Sequence, residues 1–128
     1  MRLGASARVG RRTSIRADEG SPFTIGDNAD IEDRVTFHAL TGTSIRIGNN
    51  LDTDDNVVFH GPLVVGDSLT IADDAVLFRA NVGNQVTIGD SAVIAGPADD
   101  PIEIRDGAAI PDGAIITTQA QVDALPIP

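Results

Sequence analysis

His38 and His60 are the only histidines in the chain, and each follows a phenylalanine, in Phe37-His38-Ala39 and Phe59-His60-Gly61. They stand 22 positions apart. Neutral imidazole is a common ligand for zinc and other divalent metals, so two histidines in matching surroundings can supply part of a metal site. The chain has no cysteine, which excludes disulfides and thiolate ligands. Oxygen donors remain, and sixteen Asp and three Glu can provide them. The competing reading makes both histidines surface or interface groups that hydrogen-bond across a packed contact.

What must position these side chains is a repeat. Aliphatic or similar residues recur every six positions as Leu3, Val9, Ile15, then Ile25, Ile31, Phe37, then Ile47, Thr53, Phe59. They continue as Val65, Ile71, Leu77, then Val82, Ile88, Ile94, and finally Ile104, Ile110, Ile116. Glycine commonly follows the first member of a triplet, as at Gly26, Gly48, Gly66 and Gly83, and small residues recur at Ala29, Ala75 and Ala92. This hexapeptide pattern predicts an all-β chain, a parallel β-helix of about six coils, with three hexapeptides to each triangular coil. A helical reading needs apolar spacings of three and four, and no βαβ alternation exists before Thr118. Departures from period six mark loops extruded from the stack, within 16–22, around 40–43 and at 96–101. The segment from Thr118 resembles a capping box with Gln121 three residues on, and predicts a short helix ending before Pro126. Little else in the chain can protect the end coils.

Laid on such a coil, Phe37 and Phe59 point inward at equivalent places on adjacent turns. His38 and His60 then stack outside, about 4.8 Å apart, within reach of one ion. A third ligand is harder to find in the same chain. Asp54 and Asp55 precede His60 by six and five residues, roughly 16 to 20 Å along a strand, on another side of the prism. A three-fold arrangement of copies would bring one chain's histidines to another chain's carboxylate.

The length supports one domain, 1–128, with 117–128 as a short helix and tail. No run reaches the roughly 18 to 20 apolar residues of a membrane span, and Met1–Arg12 lacks the apolar segment of a secretory signal. A soluble cytoplasmic protein with no membrane partner is expected. Nine Arg, no Lys and a net charge of -10 argue against nucleic-acid binding. Part of the Asp excess belongs to turn sequences such as Ile25-Gly26-Asp27-Asn28 and Ile88-Gly89-Asp90-Ser91. With the missing Lys, the remainder points to a halophilic source.

Several stretches resemble the archaeal gamma-class carbonic anhydrases: Ser14-Ile15-Arg16-Ala17-Asp18-Glu19-Gly20, Ile31-Glu32-Asp33, Val35-Thr36-Phe37-His38-Ala39, Val57-Val58-Phe59-His60-Gly61-Pro62, and Ile110-Pro111-Asp112-Gly113 with Thr117-Thr118-Gln119-Ala120. The resemblance covers most of the chain. It implies a left-handed β-helix, a homotrimer, and reversible hydration of carbon dioxide to bicarbonate at an intersubunit metal held by three histidines, two from one subunit. His38 and His60 match those two, and the third position is Asp55 here. Zinc, or another divalent metal such as iron or cobalt, is the implied cofactor. Arg16 and Asp33 match an interface ion pair, and Asp18 also matches. Glu19 matches a glutamate near the catalytic pocket, and Glu32 stands where the family has a glutamine that contacts solvent at the metal. The long acidic loop of the best-known member is replaced by Leu40-Thr41-Gly42-Thr43, and its long C-terminal helix is missing.

A carboxylate in place of an imidazole lowers the net charge of the site by one, and Glu32 and Asp30 add more negative charge. All three changes disfavour ionisation of water at the metal. Three functions therefore stay open. One is a carbonic anhydrase weakened by Asp55, with Glu19 or Glu32 assisting proton transfer. Another is an inactive homologue serving as a trimeric scaffold or assembly module. The third is a hexapeptide-repeat acyltransferase with an interface histidine as general base.

Overall fold

A computed structural model describes residues 2–17, 23–39, 43–97 and 100–125. The expected solenoid is present as a left-handed parallel β-helix, built from strands that pair only with their equivalents on neighbouring coils. One face is a six-stranded parallel sheet of β2 (Arg8–Val9), β5 (Asp30–Ile31), β8 (Asp52–Thr53), β10 (Thr70–Ile71), β12 (Thr87–Ile88) and β15 (Ala109–Ile110), one strand from each hexapeptide triplet. The other two faces merge into a second sheet. Its strands are β1 (Arg2–Leu3), β3 (Ser14–Ala17), β4 (Phe23–Ile25), β6 (Thr36–Ala39), β7 (Ile45–Ile47), β9 (Val58–Val65), β11 (Val76–Val82), β13 (Val93–Ala95), β14 (Ile102–Ile104) and β16 (Ile115–Ile116). The merger occurs because β9 and β11 run on around the third corner, while the insertions interrupt the chain there on other coils.

The other two corners are tight turns built alike on every coil. Each ends in a left-handed residue: Asn28, Asn50 and Gln85 at one, Arg34, Asn56 and Asp74 at the other, with Gly107 and Gly113 on the last coil. Beside each such residue an Asx side chain reaches down the stack. Asp27 Oδ1 accepts the backbone N–H of Ala5, Asn49 Oδ1 that of Asp27, and Asp67 Oδ1 that of Asn49, each at 2.8 Å. This accounts for the glycine after the first aliphatic residue of a triplet. A Cβ at Gly26 would fall on Asn49 Oδ1, and one at Gly66 on Asn84 Oδ1.

The core is one aliphatic column, with Phe23, Phe37 and Phe59 as its only buried aromatics among the described residues. Thr53, an inward position, is fully buried and satisfied because its Oγ1 accepts the Glu32 N–H at 3.2 Å. The two ends differ. At the C-terminal end α1 (Gln119–Asp123) buries Val122 against the last coil. Gln119 covers the outer edge of β14, accepting the Glu103 N–H and donating to the Glu103 carbonyl, both at 2.8 Å. That end is better protected than the sequence suggests, because one side-chain amide does the work of a paired strand. At the N-terminal end the inward positions Leu3 and Val9 are 36% and 46% exposed. Among the described residues no helix is long and apolar enough to cross a membrane.

Candidate metal centre

Strands β6 and β9 lie in parallel register, Phe37 opposite Phe59 and His38 opposite His60. The phenylalanines are fully buried and stack with centroids 4.7 Å apart. Strand alternation sends the next residue of each strand outward. The imidazole centroids are accordingly 4.9 Å apart, with ring planes at 73°. His60 Nδ1 lies 3.2 Å from the Gly61 carbonyl, so the Nδ1–H tautomer donates there and leaves Nε2 as a ligand. His38 Nε2 is buried with no hydrogen-bond partner. A buried nitrogen left unsatisfied beside a second imidazole fits a cation held between them.

The column continues on both sides. Arg16 is in register with His38, and Phe78 with His60. Phe78 presents its ring to His60 at 4.2 Å between centroids, and the Arg79 guanidinium sits 4.2 Å from the Phe78 centroid. The sequence reading did not single out Phe78. Its phase could have found it, since it follows inward Leu77 as the histidines follow inward phenylalanines.

Asp55 lies at a different corner. Its Oδ1 accepts the Asp33 N–H at 3.0 Å, and its own N–H donates to Asp73 Oδ1 at 2.9 Å. Asp33 does the same for the Arg11 N–H at 2.7 Å, and Asp90 for Asp73 at 3.1 Å. Glu32 is exposed beside this ladder, and Asp30 above all, then burial, Asp55, Asp33 and Asp54, raise its pKa above the usual glutamate value. Burial, then Asp73, Asp52, Asp90 and Asp55, raise that of Asp54. Among the described residues, Asp54, Asp73 and Asp90 are the one group of three or more ligand-capable side chains whose donor atoms lie within 4.8 Å of one another.

The candidate residues therefore fall into two half-sites. Arg16, His38 and His60 share one column, and Glu32, Asp33 and Asp55 share a corner five residues back along the strand. At about 3.3 Å per residue the chain alone does not bring Asp55 to the histidines. Asp18 and Glu19 lie outside the described residues.

Neither a protein-family model nor, at a significant level, a solved structure matches the chain. Three curated proteins do. The carboxysome assembly protein CcmM of Nostoc sp. PCC 7120 is 35% identical over 97% of this chain and 23% of its own length. A carbonic anhydrase of Methanosarcina thermophila is 32% identical over 97% of this chain and 56% of its own. The carboxysome assembly protein CcmM of Synechococcus elongatus is 33% identical over 98% of this chain and 24% of its own. The chain thus spans about a quarter to about half the length of these relatives. By its β-helix, its paired histidines and this likeness along nearly its whole length, the chain is a homologue of gamma-class carbonic anhydrase-like proteins.

Proposed function

We propose that the chain forms a homotrimer in which His38 and His60 of one copy and the partner subunit's Asp55 hold a divalent metal, and that this assembly hydrates carbon dioxide slowly and reversibly. The observation that carries the reading is the orphaned His38 Nε2, buried and 4.9 Å in ring separation from His60. A zinc, iron or cobalt ion there supplies the Lewis acidity that makes water a nucleophile. The residues around it set the rate. Asp55 brings a negative charge where an imidazole would bring none, which weakens that acidity. Glu32, its pKa raised chiefly by Asp30, is suited to carry a proton nearer neutral pH than an ordinary glutamate, and Glu19 is its counterpart by resemblance. Arg16 lies in the histidine column and Asp33 at the corner, the two half-sites that a three-fold contact would join, and Asp18 falls in the segment next to Arg16.

A second reading, a trimeric assembly module without turnover, is favoured by one observation. The Asp55 carboxylate already serves the corner ladder by accepting the Asp33 N–H. Two of the relatives are carboxysome assembly proteins. Metal analysis and stopped-flow carbon dioxide hydration on wild type and Asp55→His separate the two. Stoichiometric metal with hydration above background in wild type supports the enzyme. No metal and no hydration in wild type supports the module.

A further inference from the structure

The histidine column differs in charge from the acidic corner beside it. Arg16, His38, His60, Phe78 and Ala95 follow one another in register across β3, β6, β9, β11 and β13, and none is acidic. The corner five residues back carries Asp33, Asp55, Asp73 and Asp90. In a chain of net charge -10 most of the surface repels an anion, but this column is flanked by guanidiniums, Arg16 before His38 and Arg79 after His60. The backbone places Arg79. Strands β9 and β11 pair as His60 with Phe78 and then Leu63 with Ala80, so Arg79 alone stands opposite Gly61 and Pro62. It turns the corner with a left-handed backbone, at φ 52°. Its guanidinium lies over the Phe78 ring, 4.2 Å from the centroid, and that ring meets the His60 imidazole at 4.2 Å between centroids. Two ring contacts therefore separate the cation from the histidine. Phe78 and Arg79 are both half-buried, and among the described residues no carboxylate pairs with the Arg79 guanidinium. Attraction to the ring holds the charge in place without supplying an oxygen to its N–H donors.

We infer that Arg79 binds the anion of the reaction at the histidine centre, its guanidinium fork taking two oxygens of bicarbonate beside His60. The inference rests on the carbon dioxide reading of that centre and names the group that holds its anionic partner. Bicarbonate is a small planar oxyanion, and two oxygens of one planar group match the parallel N–H bonds of a guanidinium as a halide does not. A cation beside a pair of metal ligands opposes metal binding unless an anion lies between them. Arg79 therefore belongs with an oxyanion and not with the bare centre. A carboxylate of a neighbouring copy is the competing acceptor.

The test uses the whole chain and isotopically labelled bicarbonate, whose carbon resonance is followed by NMR line broadening at low chloride, with and without cobalt. Cobalt content is measured first and judges the metal centre on its own. At equal cobalt content Arg79→Ala should bind bicarbonate about tenfold more weakly than wild type, and Arg79→Lys, which keeps the charge and loses the fork, should recover part of the difference. Arg46→Ala, whose side chain is exposed on β7, should match wild type. Equal bicarbonate affinity in wild type and Arg79→Ala overturns the proposal. A loss in Arg46→Ala as large as in Arg79→Ala reduces the effect to net charge and overturns it as well. A smaller assembly of Arg79→Ala in sedimentation, with affinity per centre unchanged, assigns the guanidinium to a neighbouring copy's carboxylate and also overturns it. If the chain takes up no cobalt, the metal centre fails and the metal-free series decides Arg79 alone. Weaker binding in Arg79→Ala then sustains the anion site, and equal binding ends it.

Discussion

Asp55 accepts the backbone N–H of Asp33 through Oδ1 at 3.0 Å, and Asp73 repeats that contact for Asp55 at 2.9 Å. The residue proposed as the third ligand is therefore also a rung of a corner ladder. Its Oδ1 is engaged in folding the chain, and its other oxygen is the one proposed to reach the metal. Histidine at 55 gives up the rung and gains the imidazole. We expect Asp55→His to tighten metal binding and raise carbon dioxide hydration at least tenfold. It should lower stability by about 1 kcal/mol, the scale of one hydrogen bond. Stopped-flow assays and urea unfolding on the same samples check both signs.

The ladder needs an acceptor, not a charge. Asn49 and Asn84 fill equivalent rungs at the other corner, each accepting at 2.8 Å. Asp73→Asn should leave stability equal or higher at low salt, because Asp54 and Asp90 lie within 4.8 Å of it. Asp73→Ala leaves the Asp55 N–H without its partner and should cost about 1 to 2 kcal/mol in chemical denaturation.

Asp54 sets a pH dependence. Its pKa is raised, by burial first and then by Asp73, Asp52, Asp90 and Asp55, so the folded chain binds the proton more tightly than the unfolded chain. Stability contributed through this group therefore rises as pH falls through the folded pKa toward the ordinary carboxylate range. Asp54→Asn should be more stable than wild type at pH 7, by less than about 1 kcal/mol for so exposed a group. The gap should close toward pH 4 and in 1 M potassium chloride. A rise in wild-type melting temperature with salt is the matching expectation for a chain with nineteen carboxylates and no Lys. Thermal melts across pH and salt read all three.

Gln119 substitutes for a missing strand by bonding both backbone groups of Glu103 at 2.8 Å. Gln119→Ala should speed amide exchange at Glu103 and loosen α1. The loss of about 1 to 2 kcal/mol should be confined to the last coil. Exchange rates in the central strands should not change.

How much was legible follows from which interactions repeat. The inward residues recur every six positions because each coil meets the next in the same register, so Ile31, Ile71, Ile88 and Ile110 could be placed in a core from spacing alone. The histidine pair was legible for the same reason, since phase relative to Phe37 and Phe59 decides its direction. Phe78 was missed although it shares that phase, because an aromatic residue carries no ligand signal. The rung at Asp55 was not legible either. A ladder contact joins residues 17, 18 or 22 apart, and only the stacked backbone shows which Asp accepts from which amide.

The central claim, a metal shared between the histidines of one copy and Asp55 of the next, is tested most directly by complementation. His38→Ala/His60→Ala and Asp55→Ala chains are expressed separately and together, and cobalt content is measured on the purified trimers. Neither variant alone should hold stoichiometric cobalt. Each mixed trimer should regain a single site, about a quarter of the wild-type metal for random assembly. Cobalt binding in the Asp55→Ala protein alone, no recovery on co-expression, or a monomer in sedimentation would contradict the shared site.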